Sequence, residues 1–84
     1  MKFEGAFGVQ YEATTDAIIC GGQALPYKDI KSVSFKAPSF LTGGRIGLVR
    51  AQGPVYIVWK GKPKTEEAKA FYEHIQTQVA EAQK

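Results

Sequence analysis

From Phe3 to Ala13 the odd positions read Phe3, Gly5, Phe7, Val9, Tyr11 and Ala13, while Lys2, Glu4, Ala6, Gly8, Gln10 and Glu12 fill the even ones. A period of two sends alternate side chains to opposite faces, so the segment predicts a half-buried strand. The pattern stops at the turn-forming cluster Thr14-Thr15-Asp16 and restarts as Ala17-Ile18-Ile19-Cys20, a short strand rich in β-branched residues. Gly21-Gly22 can supply the positive φ angles of a tight hairpin, and Gln23-Ala24-Leu25 returns, held short or at an edge by Pro26.

Beyond Tyr27-Lys28-Asp29, Val33 and Phe35 alternate with Ser32, Ser34 and Lys36, which predicts a strand with one core face and one wet face. Residues 37 to 44 form a loop with breakers at both ends and Phe40 and Leu41 between them. Arg45 to Ala51 and Val55 to Lys60 predict a hairpin around Gln52-Gly53-Pro54. The run Val55-Tyr56-Ile57-Val58-Trp59 is nearly continuous in hydrophobicity, the mark of a strand covered on both faces or of one whose second face is a contact surface. After the breaker Lys60-Gly61-Lys62-Pro63-Lys64, Thr65 is placed to cap a helix, with Glu66 and Glu67 at the positive end of its dipole. Ala68, Phe71, Tyr72, Ile75, Val79 and Ala82 then recur at helical spacing as one apolar stripe.

Short hairpins followed by a single amphipathic helix define a mainly β, α+β class. The expected architecture is a bent antiparallel sheet or partly open barrel of six to seven strands, capped by the C-terminal helix. One domain spans residues 1 to 84, with strands over about 3–60 and the helix over about 65–83. No crossover helices separate the strands, so a doubly wound parallel sheet is excluded.

Four stretches together resemble a short bacterial pleckstrin-homology-like (PH-like) domain. They are the hairpin Ala17-Ile18-Ile19-Cys20-Gly21-Gly22, the entry Leu25-Pro26-Tyr27-Lys28-Asp29-Ile30-Lys31-Ser32-Val33, the strand start Gly43-Gly44-Arg45-Ile46-Gly47-Leu48, and Val55 to Trp59 with the closing helix. The resemblance covers almost the whole chain and rests on fold motifs. It implies two roughly orthogonal layers of bent sheet under a C-terminal helix, with a seventh strand hidden in Lys2 to Ala13, split near Gly5 or Gly8. Eukaryotic members bind phosphoinositides through a basic loop between their first two strands. The corresponding loop is read here as Ala13-Thr14-Thr15-Asp16, which has no Lys or Arg, so the resemblance does not carry phosphoinositide binding with it.

A hydrophobic fraction of 44% argues for a packed core and against disorder. The single Cys20 can form no internal disulfide and reads as a small buried hydrophobe. The N-terminal segment lacks an apolar run of signal-peptide length, and no stretch is long enough to span a bilayer as a helix. The expected location is the cytoplasm, extending to a peripheral position at the inner face of the membrane. Net charge is +3, from basic residues that read as scattered along the chain.

No catalytic constellation is visible, and the chain is not expected to be an enzyme. His74, the one histidine, has no Ser or Cys motif beside it and reads as a helix surface residue. One His and one Cys cannot build a structural zinc site, there is no carboxylate loop for calcium, and no cofactor is implied. Gly43-Gly44-Arg45-Ile46-Gly47 opens a strand and lacks the Gly-Lys-Ser/Thr ending of a phosphate loop. Nucleic acid is disfavoured as a partner, because Tyr56, Trp59 and Lys60 suit a β core equally well.

Two surface features remain. In the 36–45 loop, Phe40 and Leu41 stand between Lys36 and Arg45, an apolar tip with a basic rim; the competing reading folds both residues back over an open end of the barrel. Lys60, Lys62 and Lys64 form the second feature, read either as an anionic docking site or as a solvated turn before the helix. The function these imply is a noncatalytic interaction module that binds protein, including a second copy of itself, through a sheet edge or the 36–45 loop. The alternative is peripheral binding to anionic lipid.

Overall fold

The computed structural model describes residues 1–39 and 43–84. The described residues form seven strands and one helix: β1 (Lys2–Glu4), β2 (Gln10–Ala13), β3 (Ala17–Cys20), β4 (Gln23–Pro26), β5 (Ile30–Lys36), β6 (Gly44–Arg50), β7 (Val55–Trp59) and α1 (Thr65–Ala82). The strands form two antiparallel sheets, one of four in the order β1-β2-β3-β4 and one of three in the order β5-β6-β7. They do not close into a barrel.

The apparent strand from Phe3 to Ala13 is two strands. A single 3-10 turn at Ala6–Gly8 interrupts the alternation, closed by bonds from the Gly5 amide to the Val9 carbonyl (2.9 Å) and from the Val9 amide to the Ala6 carbonyl (3.3 Å). Phe3 and Tyr11 then face each other in register across the β1–β2 pair. The seventh strand thus arises from a split at Gly5–Gly8, and the connection between the first two strands is residues 5–9 rather than Ala13–Asp16. That connection also lacks Lys and Arg. Phe7, placed by its parity on the core face, is instead 85% exposed.

At Gly21-Gly22 both φ angles are positive, 57° and 89°, which closes a two-residue hairpin with Cys20 opposite Gln23. Between the sheets, Phe3, Ile18, Tyr27, Ile46, Leu48, Ile57 and Trp59 meet Ala68, Phe71, Ile75 and Val79 of α1 in one core. Phe3 links the two sheets and the helix, its ring 5.5 Å from Phe71 and 6.1 Å from Trp59. The Trp59 indole lies over Gly44, where a Cβ would overlap the ring, so this strand start accepts only glycine without repacking.

The helix begins where its apolar stripe predicts, but Thr65 is not its cap. A 3-10 turn at Lys62–Lys64 runs straight into α1, so Thr65 already has helical angles, and its hydroxyl accepts a bond from Trp59 Nε1 at 3.4 Å. The helix C-terminus is tied down by Gln83, whose side-chain amide donates to the Ile30 carbonyl at 2.7 Å. Ala82, the last residue of the stripe, is exposed.

Candidate functional site

Strand alternation gives the β5-β6-β7 sheet two faces of opposite character. Toward the helix it presents Phe35, Ile46, Ile57, Leu48 and Trp59. On the other side, Lys36, Arg45 and Val58 lie in one cross-strand row, Ser34, Gly47 and Tyr56 in the next, and Ser32 beside Val49 in the third. Val58, Val49 and Tyr56 are 36%, 42% and 50% exposed. The hydrophobic run at Val55–Trp59 therefore has a buried face and a face open to water.

The turn at residues 5–9 adds to this open face. Phe7 adopts the left-handed conformation, φ 60°, which projects its ring into solvent, and Lys60 places its ammonium 4.7 Å from the ring centroid. Arg45 lies 5.3 Å from the Tyr56 centroid. Such cation–ring pairs fix the charged groups beside the aromatics at little desolvation cost. Phe7, Lys60, Arg45 and Val58 line a shallow notch of about 230 Å³ together with Ala6, Gly43, Gly44 and Trp59.

The charge of the chain is segregated around this sheet. Residues 30 to 65 hold seven of the eleven Lys and Arg and none of the eight Asp and Glu, so this segment carries +7 and the rest of the chain −4. The basic residues are not scattered. Lys31, Lys36, Arg45, Arg50, Lys60, Lys62 and Lys64 all belong to the second sheet and its exit. The acids sit on the first sheet, the 27–29 turn and α1.

Among the predicted contact residues, Lys36 and Arg45 are cross-strand partners, and Lys60 joins Arg45 through the Phe7 notch. Lys62 is exposed in the 3-10 turn. Lys64 turns the other way: its ammonium donates to the Glu4 carbonyl at 2.8 Å, lies 3.9 Å from the Glu4 carboxylate and covers the Phe3 ring at 5.6 Å. It fastens the helix entry to β1 and is not part of the open face. Phe40 and Leu41 lie outside the described residues. Val58 and Tyr56 lie on the second face of the Val55–Trp59 run, which the sequence offered as a contact surface without naming them as site residues, and Phe7 is an addition that the alternation concealed.

The reactive side chains are arranged quietly. Burial pushes the Cys20 thiol up to about 11, only partly offset by Arg50. Burial likewise raises the phenols of Tyr11 and Tyr27, and the Tyr27 hydroxyl donates to the Thr14 carbonyl at 2.8 Å. Among the described residues no three His, Cys, Asp or Glu side chains gather as metal ligands, and no helix is long and apolar enough to cross a membrane. The sequence matches no protein-family model, and neither the curated proteins nor the solved structures provide a match.

Proposed function

We propose that the chain is a noncatalytic, PH-like docking module that rests on anionic lipid headgroups through the outer face of β5-β6-β7. The observation that carries this reading is the clustering of Lys36, Arg45 and Lys60, all from a segment without a single acid, with the exposed Phe7, Tyr56 and Val58. An aromatic ring in water gains about 1.5–3 kcal/mol on full burial. Each Lys or Arg near an anionic leaflet adds about 1 kcal/mol. Together these amount to a few kcal/mol, enough for peripheral, reversible attachment and far less than a spanning helix provides. The PH-like assignment is supported by the order of the elements: seven antiparallel strands in two sheets, then one helix packed on their inner faces.

Flotation with vesicles tests the reading. Binding is expected to vesicles containing phosphatidylglycerol at low salt, to be absent with neutral phosphatidylcholine, and to be lost near 0.5 M salt, where the Debye length is only about 4 Å. Equal behaviour toward neutral and anionic vesicles overturns it. A protein partner is the second reading, carried by the seven-residue strand β5, which pairs with β6 alone among the described residues.

A further inference from the structure

The second sheet ends on β5 without the protections found at the other sheet ends. β1 is only three residues long. β4 finishes in Pro26, which has no amide hydrogen to offer a new strand. β7 has the 5–9 turn packed against it so closely that a Cβ on Gly5 would collide with the Val58 carbonyl. On β5 a bulge between Ile30 and Ser32 and the Gln83 bond to the Ile30 carbonyl occupy the first residues. From Ser32 to Lys36 no second strand pairs with it among the described residues.

The packing along this edge is also unfinished. Ile46 and Ile57, in the same cross-strand row as Phe35, are fully buried, whereas Phe35 and Val33 keep partial contact with water. So does Tyr72 on α1, whose ring lies 5.3 Å from Phe35. The seam between β5 and α1 therefore exposes a strip of apolar surface parallel to an unpaired backbone. Lys31 and Lys36 lie on the strand and Lys69 stands three residues before Tyr72 on the helix, with Glu73 the one acid next to Tyr72 in sequence.

From these features we infer that the β5 edge is an acceptor site for an extended acidic segment of another polypeptide, added as a further strand of the sheet. The backbone of Ser32–Lys36 supplies the hydrogen bonds and makes the interaction insensitive to most side chains. Alternate residues of the guest then meet different surroundings: apolar ones complete the seam at Val33, Phe35 and Tyr72, and carboxylates on the intervening positions and at the ends are within the field of Lys31, Lys36 and Lys69 that flank the seam. A second copy of this chain is the poorer guest. Pairing β5 with β5 brings Lys31 and Lys36 of both copies onto one short seam with no carboxylate among them, and like charges across a strand pair destabilise it. This site lies on the edge of the sheet and does not depend on the lipid reading of its face.

Amide hydrogen exchange on the isotopically labelled protein tests the proposal, with a capped heptapeptide of alternating Glu and Val as probe. Saturating peptide is expected to slow exchange of alternate amides within Ser32–Lys36 at least tenfold. A peptide of alternating Lys and Val, or one with the same Glu and Val in two blocks, is expected not to. The double variant Lys31→Glu/Lys69→Glu leaves Lys36, Arg45 and Lys60 in place and is expected to weaken the alternating Glu peptide at least tenfold while accepting the Lys peptide. Unchanged exchange in β5 overturns the proposal, as does equal binding of the block peptide. Perturbation confined to Phe7, Tyr56 and Lys60 assigns the acidic peptide to the outer face instead, and β5 protection that grows with protein concentration alone assigns the edge to a second copy.

Discussion

Phe7 stands in a backbone conformation that disfavours every side chain except glycine and, to a lesser degree, Asn and Asp, at a cost of about 1–2 kcal/mol. It keeps its ring in water at the same time. Neither feature helps the isolated domain fold, which sets this residue apart from the buried aromatics Phe3, Tyr11, Tyr27, Trp59 and Phe71. Phe7→Asn, which tolerates the same angles, is expected to leave the thermal midpoint unchanged or slightly raised while reducing partition onto anionic vesicles at least fivefold. A fall in the midpoint of more than about 5 °C, roughly 1 kcal/mol for a domain of this size, would mean that the ring packs into the fold after all. Cys20 gives the opposite kind of residue. Its thiol titrates near 11 rather than near its ordinary 9, because burial penalises the thiolate. A folded pKa raised above the unfolded one contributes stability that is complete below the unfolded value and lost as pH climbs. The buried phenols of Tyr11 and Tyr27 are shifted in the same direction. Denaturant midpoints are therefore expected to hold steady up to about pH 9 and to fall between about 9 and 11, with alkylation of Cys20 at pH 8 far slower than that of a free thiol. Rapid alkylation at pH 8 in the folded protein contradicts this.

Elements were legible wherever a single local rule decided them. Gly21-Gly22 between two short apolar runs specifies a hairpin because two consecutive positive φ angles are cheap only there. The stripe from Ala68 to Val79 specifies a helix because no strand repeats with that period. Phe71 is wholly buried on that stripe with Phe3 stacked on it at 5.5 Å, so Phe71→Ala is expected to cost about 3–5 kcal/mol, enough to unfold a domain of this length under mild denaturant. Retention of a native midpoint would show that the helix is not what holds the two sheets together. The break at residues 5–9 was legible only through its glycines and the seventh strand that the PH-like resemblance implies, not through the alternation itself. Gly5, Phe7 and Val9 continue the odd-numbered apolar set, and nothing in a period of two records that the chain has turned through a 3-10 bend and resumed in register. The same limit hid the site: a residue whose parity matches the core is read as core, and Phe7 is the exception. Thr65 erred in the other direction, because a preceding helical turn removed the capping position that its side chain suits.

At the scale of the molecule the informative signal was the spacing between acids, not the sum of charges. A net +3 is common in soluble proteins, but thirty-six consecutive residues, from Ile30 to Thr65, hold no Asp or Glu, and all seven of their Lys and Arg belong to the second sheet and its exit. The helix packs on the inner face of that sheet, so the outer face points away from α1 and the acids it carries. A molecule polarised in this way approaches an anionic surface in a defined orientation, since the −4 remainder is repelled by the surface that attracts Lys36, Arg45 and Lys60 on the open face. Two double variants separate orientation from net charge. Arg45→Glu/Lys60→Glu and Lys28→Glu/Lys69→Glu both move the net charge from +3 to −1, yet only the first pair lies on the open face. The first is expected to abolish binding to phosphatidylglycerol vesicles and to flatten its salt dependence, while the second retains binding within about threefold of the parent, because charges more than a Debye length from the bilayer are largely screened. Equal losses in the two variants would reduce the attraction to bulk charge, and the face would then have no directional role.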